Sequence, residues 1–165
     1  RAQGRHRAWT KSARTLMEVI GTVDAILRGK GRTVWTIGPE ATVFEAIQVL
    51  ADKDIGALPV MEGERLIGIV SERDYTREVA LKGKSSKHTA VREILSGEVI
   101  SVQPDTSITE CMRLMSEHHI RHLPVLEEGK MAGIISIGDL VGWIISAQSA
   151  TIEQLSGYIT GRYAG

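Results

Sequence analysis

The chain has 165 residues, 42% of them hydrophobic, with 20 basic and 20 acidic side chains and a formal net charge of zero. That length fits one globular domain or two small units sharing a core. The charge balance argues against a nucleic-acid binder but leaves room for a small anionic ligand held by local positive charge. A single cysteine, Cys111, excludes an intrachain disulfide and a cysteine-built zinc cluster, which points to a reducing compartment, and no apolar run approaches the length that spans a bilayer.

The stretch from Arg1 to Arg14 carries Arg1, Arg5, Arg7, Lys11 and Arg14 and no acidic residue. Residues 1–17 read as a flexible basic tail, with a mitochondrial presequence remnant as the alternative. Location is accordingly expected to be cytoplasmic, or the mitochondrial matrix if the presequence reading holds. Apolar spacing predicts a short helix over Glu18–Leu27, with Thr22 as a possible N-cap and Gly29-Lys30-Gly31 ending it. Val34–Ile37 is predicted as a strand stopped by Gly38-Pro39. Thr42 caps a helix through Lys53 whose inner face is Val43, Ala46, Ile47 and Leu50. Strands follow at Ile55–Met61 and Leu66–Ser71, around a turn at Glu62-Gly63-Glu64. A helix is predicted from Glu72 to Lys82, with Gly83 terminating it. Lys84–His88 is a loop, and Thr89–Leu95 forms one or two helical turns.

The plan then repeats. Val99–Val102 is a strand and Ser107–His118 a helix with Ile108, Cys111, Met112 and Met115 inward. Ile120–Leu126 and Met131–Ser136 are strands, and a longer helix runs from Gly138 toward Ser156, bent or broken near Ser146–Ala150. The repetition is literal as well as schematic. Leu58-Pro59-Val60 with Gly68-Ile69-Val70-Ser71-Glu72-Arg73-Asp74 returns 65 residues later as Leu123-Pro124-Val125 with Gly133-Ile134-Ile135-Ser136-Ile137-Gly138-Asp139. The register holds without a gap from Val34 against Val99 to Asp74 against Asp139. Prolines, a glycine, a serine and an aspartate in one register mark an internal repeat. The chain divides into a tail (1–17), repeat one with its preceding helix (18–84), repeat two with its entering helix (85–146) and a C-terminal helix end and tail (147–165). The fold class is α/β in the broad sense, more narrowly α+β: two strand-helix-strand-strand-helix repeats.

In each copy a serine ends a strand and an aspartate begins the next helix three residues on. A helix N-terminus presents unpaired N–H groups and partial positive charge, which suits a phosphate, and a serine hydroxyl adds a donor. A carboxylate beside it can accept from the vicinal hydroxyls of a ribose. The other role open to Asp74 and Asp139 is to cap their helices.

These residues resemble a tandem pair of cystathionine-β-synthase (CBS) domains, the arrangement called a Bateman module, from about Thr22 to about Ser146. The resemblance implies two pseudo-twofold-related repeats packed sheet to sheet, with adenosine nucleotides in clefts between them. AMP, ADP, ATP and NAD(H) are the implied ligands, S-adenosylmethionine less so. It carries the ribose and phosphate roles onto Ser71 and Asp74 in one copy and Ser136, Gly138 and Asp139 in the other; Arg73, where repeat two has Gly138, is a candidate phosphate partner, with a pairing to Glu72 or Glu78 as its other role. Arg121 and His122 become phosphate contacts, with a solvated basic edge as the other reading; repeat one has Gly56 and Ala57 there, so none carries over. The base would lie against Trp35, Ile55 and Ala57 in one cleft and Ile100, Ile120 and His122 in the other, although Trp35 equally fits a core or interface position. A homodimer is implied, with apolar helix positions Leu140, Val141, Ile144 and Ile145 as its surface.

Enzyme readings fit less well. His118, His119 and His122 straddle a helix-to-strand joint and lack helical convergence on a metal. Gly83-Lys84-Ser85 imitates the end of a P-loop, but Glu78 stands where its first glycine belongs. Gly29-Lys30-Gly31 precedes a strand and is followed by Val34 where a dinucleotide fingerprint needs glycine. The resemblance therefore implies a non-catalytic regulatory module that binds an adenosine nucleotide and signals to an effector protein by a change of conformation or assembly, without nucleic acid or membrane. The alternatives are a ligand-free interaction module with vestigial clefts and a small nucleotide hydrolase.

Overall fold

The computed structural model describes residues 21–159. The basic stretch 1–17, the residues from Glu18 that were expected to open the first helix, and the end of the C-terminal tail lie outside the described residues. In chain order the elements are α1 (Val23–Lys30), α2 (Val43–Lys53), β1 (Ala57–Glu62), β2 (Arg65–Ser71), α3 (Glu72–Asp74), α4 (Ile108–His118), β3 (His122–Glu127), β4 (Lys130–Ser136) and α5 (Ile137–Ile159). The architecture is α+β, with two separate two-stranded sheets, β1-β2 and β3-β4.

The helix boundaries follow their chemistry. Thr42 caps α2 through a box in which its hydroxyl accepts from the Glu45 N–H and the Glu45 carboxylate accepts from the Thr42 N–H. Ser107 caps α4 by accepting from the Glu110 N–H. Both helices end in a left-handed residue, Asp54 at φ 51° and His119 at φ 53°. Those twin joints deliver Ile55 and Ile120 to equivalent places, each donating its N–H back into the helix just left, to Leu50 O and Met115 O, both at 3.1 Å.

Several expected elements are shorter or of another kind. The strand expected at Val34–Ile37 shrinks to one parallel bridge, Ile37 with Val60. Ile37 N–H reaches Pro59 O at 3.0 Å and Met61 N–H reaches Ile37 O at 2.9 Å. Continuing that ladder toward Val34 requires an N–H from residue 59, and proline has none. The strand expected at Val99–Val102 likewise survives only as a bridge at Val102. The strands expected from Ile55 and Ile120 begin two residues later. The helix expected over Glu72–Lys82 has three α residues and then a π turn over Tyr75–Ala80, and Thr89–Leu95 holds a 3-10 turn over Val91–Ile94. No break interrupts the last helix near Ser146–Ala150: α5 runs continuously from Ile137 to Ile159.

The described residues fall into two compact units, interleaved in sequence: 21–31, 102–123 and 134–159 form the first, and 32–101 with 124–133 the second. Each unit takes its leading segment from the other repeat. In the first, Val23 N–H bonds Thr106 O and Asp24 N–H bonds Pro104 O; in the second, Val91 N–H bonds Ala41 O and Arg92 N–H bonds Pro39 O. Sequence repeats thus describe the duplication and not the packing. The second unit's core is Val43, Ala46, Leu50, Leu58, Val60, Val70, Val79, Val91 and Ile94. The buried side chains of the first include Val23, Ile26, Leu27, Ile108, Cys111, Met115, Leu123, Ile135 and Leu140. Fully burying one such aliphatic side chain stabilises by about 1.5–3 kcal/mol. Leu140 is therefore a core residue and not part of a dimer surface, whereas Val141 and Ile145 are exposed.

Candidate functional site

The strand-end serines sit where the sequence places them. In the second unit β1 and β2 pair antiparallel, with Ala57 opposite Ser71. Ser71 is the N-cap of α3: its N–H and hydroxyl donate to Asp74 Oδ2 at 2.8 and 2.7 Å, and its Oγ accepts from the Asp74 N–H at 3.4 Å. Asp74 is thus the third residue of a capping box, half-buried, with one carboxylate oxygen already engaged. Ala57 is buried, while Gly56 and Arg73 are exposed. Ile55 is half-buried beside them in sequence. Trp35 is 46% exposed, so it is not a core residue, and its ring carries the Lys53 ammonium 4.0 Å from its centroid.

Ser136 and Asp139 repeat the arrangement in the first unit. Ser136 N–H donates to Asp139 Oδ2 at 2.8 Å and Ser136 Oγ accepts from the Asp139 N–H at 3.1 Å. The Arg121 carbonyl accepts from Ile137 N–H at 2.9 Å, which ties the start of β3 to the start of α5. Arg121 is exposed, His122 and Ile120 are half-buried, and a Cβ on Gly138 would sit 3.6 Å from Ser136 Oγ. Ile100, assigned to the same cleft from sequence, is counted in the other unit.

One residue here was missed. Lys30, at the end of α1, donates to Asp139 Oδ2 at 2.6 Å and to Ile134 O at 3.0 Å. The sequence registered Lys30 only as part of a helix stop, since no periodicity reveals that a leading helix belongs to the other repeat's unit. Among the described residues no cation pairs with Asp74.

The electrostatics follow from these contacts. For Asp139 burial favours the neutral form, but the Lys30 ammonium and the Ser136 N–H outweigh it and hold the carboxyl below its ordinary value. His122 is pushed the other way from a cation: burial first, then Lys30 and Arg121, lower its pKa against the pull of Asp139, so the imidazole is neutral at pH 7. The fixed charges of this site are therefore Lys30 and Arg121 against Asp139. Among the described residues no group of three or more His, Cys, Asp or Glu is placed to hold a metal, and no helix is long and apolar enough to cross a membrane.

A chain made of two hairpins, each followed by a helix opened by a Ser-x-x-Asp box, is a duplicated α+β module. The family model described as CBS domain matches residues 31–81 and 91–146. The chain belongs to the CBS-domain family and carries a tandem pair of CBS domains. It is 34% identical over 152 residues to the mitochondrial CBS domain-containing protein CBSX3 of Arabidopsis thaliana, covering 86% of this chain and 73% of that one. A solved structure of a protein from Burkholderia ambifaria MC40-6, assigned to signal transduction and carrying CBS domains, is 50% identical with a TM-score of 0.74, covering 77% of this chain and 96% of that one. The hexameric CBS-CP12 protein from bloom-forming cyanobacteria is 29% identical with a TM-score of 0.65, covering 73% and 70%.

Proposed function

We propose that the protein is a regulatory module that binds an adenosine nucleotide at its Ser-x-x-Asp helix starts and signals by a change of conformation or assembly. AMP, ADP, ATP and NAD(H) are the ligands considered. The observation that carries this is the duplicated pairing of a strand-end serine and a helix-start aspartate, with Lys30 and Arg121 added in the first unit. Helix-start N–H groups and cations suit a phosphate, and a carboxylate suits a diol. The family and the signal-transduction relative support a regulatory rather than catalytic role.

Self-assembly, as a homodimer or larger, is part of the proposal. Ile137, Val141 and Ile145 lie at i, i+4 and i+8 on α5 and are 46%, 47% and 58% exposed, an apolar stripe that a second copy would cover. The hexameric cyanobacterial relative is consistent with that. A reducing compartment, cytoplasmic or mitochondrial matrix, is supported by the single buried cysteine and by the relative named as mitochondrial.

Thermal unfolding with each nucleotide tests the ligand. At about a hundredfold above Kd a ligand adds roughly 2.7 kcal/mol of apparent stability, which for a chain of this size is about 5–10 °C in Tm. AMP, ADP, ATP or NADH should stabilise more than the guanosine counterparts. Equal shifts for AMP and GMP would remove the adenine preference. No shift with any nucleotide would favour the second reading, an assembly module whose aspartates only cap helices, which the capping boxes on both aspartates keep open.

A further inference from the structure

We infer that Lys30 is the charge-selecting residue of the first unit's site: paired to Asp139, it admits a ligand that brings its own anion and disfavours a neutral adenosine. This rests on the proposed nucleotide binding and adds to it a residue outside the repeated motif and a difference between the two sites.

The difference has a structural origin. Asp24 and Arg92 hold equivalent places, bonded to Pro104 O and Pro39 O. Asp24 lies ten residues before Val34, and Arg92 lies seven before the equivalent Val99. The leading segment of the first unit is therefore three residues longer. That excess lets an α-helix run to Lys30 where the second unit has a 3-10 turn ending at Ile94. The added turn carries the ammonium to Asp139. The shorter segment ends instead on Leu95, whose Cδ2 would lie 2.6 Å from a Cβ placed on Gly68. Among the described residues, one aspartate faces a cation and the other does not.

A diol bonding to Asp139 must share or displace Lys30, which is 36% exposed on a flexible stem and able to swing. A nucleotide's phosphate offers that ammonium a replacement anion, next to Arg121. A neutral nucleoside offers none, and His122, neutral at pH 7, does not change the balance. At Asp74 the same exchange involves no ammonium among the described residues.

The test is an amide-resolved NMR titration of the full chain with AMP and with adenosine, reading the Ser136 and Asp139 amides for one site and the Ser71 and Asp74 amides for the other. In Lys30→Met, which keeps the aliphatic stem, the preference for AMP over adenosine at Ser136 and Asp139 should fall about tenfold, the loss expected for one charge-assisted contact, with adenosine binding tighter than in the wild type. The preference at Ser71 and Asp74 should not move, and Lys30→Arg should keep the wild-type preference. Lys30→Gln gives the same comparison if the methionine variant is not folded. An unchanged preference at Ser136 and Asp139, or an equal fall at both sites, overturns the role of Lys30 while leaving nucleotide binding intact. Wild-type amides that respond to neither compound overturn nucleotide binding itself, and this inference with it.

Discussion

Replacing each aspartate with alanine and with asparagine separates capping from ligand recognition. Alanine removes the carboxylate that accepts from the serine N–H, 2.8 Å away in both units. Loss of a capping interaction costs about 1 kcal/mol. At Asp74 the lost cap includes the bond from the Ser71 hydroxyl, and no ion pair is lost with it among the described residues, so Asp74→Ala should lower Tm by about 2–4 °C for a chain of this length. Asp139→Ala also removes the ion pair with Lys30, a partly exposed pair worth up to about 1 kcal/mol, and should lower Tm by about 2–8 °C. Asparagine keeps an acceptor oxygen for the cap but no charge. Asp74→Asn should therefore melt within about 2 °C of the wild type, and Asp139→Asn should lose only the Lys30 share. Both asparagine variants should nonetheless bind AMP about tenfold or more weakly at their own site, because a hydrogen bond to a charged group is worth about 1.5–3 kcal/mol. Differential scanning fluorimetry gives the melting temperatures and calorimetry the affinities. Asparagine variants that melt as low as the alanine ones would refute the capping account. Asparagine variants that bind AMP like the wild type would leave the aspartates as caps only.

Four further outcomes follow from the structure. Gly68→Ala drives a methyl against the Leu95 side chain and should cost about 1–3 kcal/mol by denaturant titration, with much of it recovered when Leu95→Ala is added; additivity of the two would mean they do not touch. Stability should fall as pH drops below the ordinary histidine value, because His122 has a lowered pKa in the folded chain and the unfolded state binds the proton first; Asp139, also lowered, adds a second loss only below its ordinary range near 4. His122→Gln should flatten the first part of that curve, and an identical curve would exclude His122 as its source. The Cys111 thiol, buried and pushed up to about 11, should stay unreactive to disulfide reagents until the chain unfolds, and rapid labelling in native buffer would contradict its burial. Val141→Asp should weaken self-association in light scattering without lowering the monomer's stability, since Val141 is exposed and the neighbouring Leu140 is not; unchanged association would place the interface elsewhere.

Much of this protein was legible because its signals are local. Helix α2 and its cap were readable from Thr42, Glu45 and the spacing of Val43, Ala46 and Leu50, all within one turn or two of each other. The hairpins were readable from the apolar runs and the glycines between them. The duplication required only comparing the chain with itself, and it brought Ser71 and Asp74, Ser136 and Asp139 into view together. What the tertiary structure decided depends on partners far away in sequence. Val34–Ile37 has strand composition, yet its ladder ends where Pro59 offers no N–H, and only the observed pairing reveals that proline as its neighbour. Leu140 and Val141 are equally apolar; which one is buried depends on how α5 is turned against α1 and α4. Lys30 lies 109 residues from Asp139. Nothing local marks it as a site residue, because its role arises from an exchange of leading segments between the repeats and from one extra helical turn that carries its ammonium to the carboxylate.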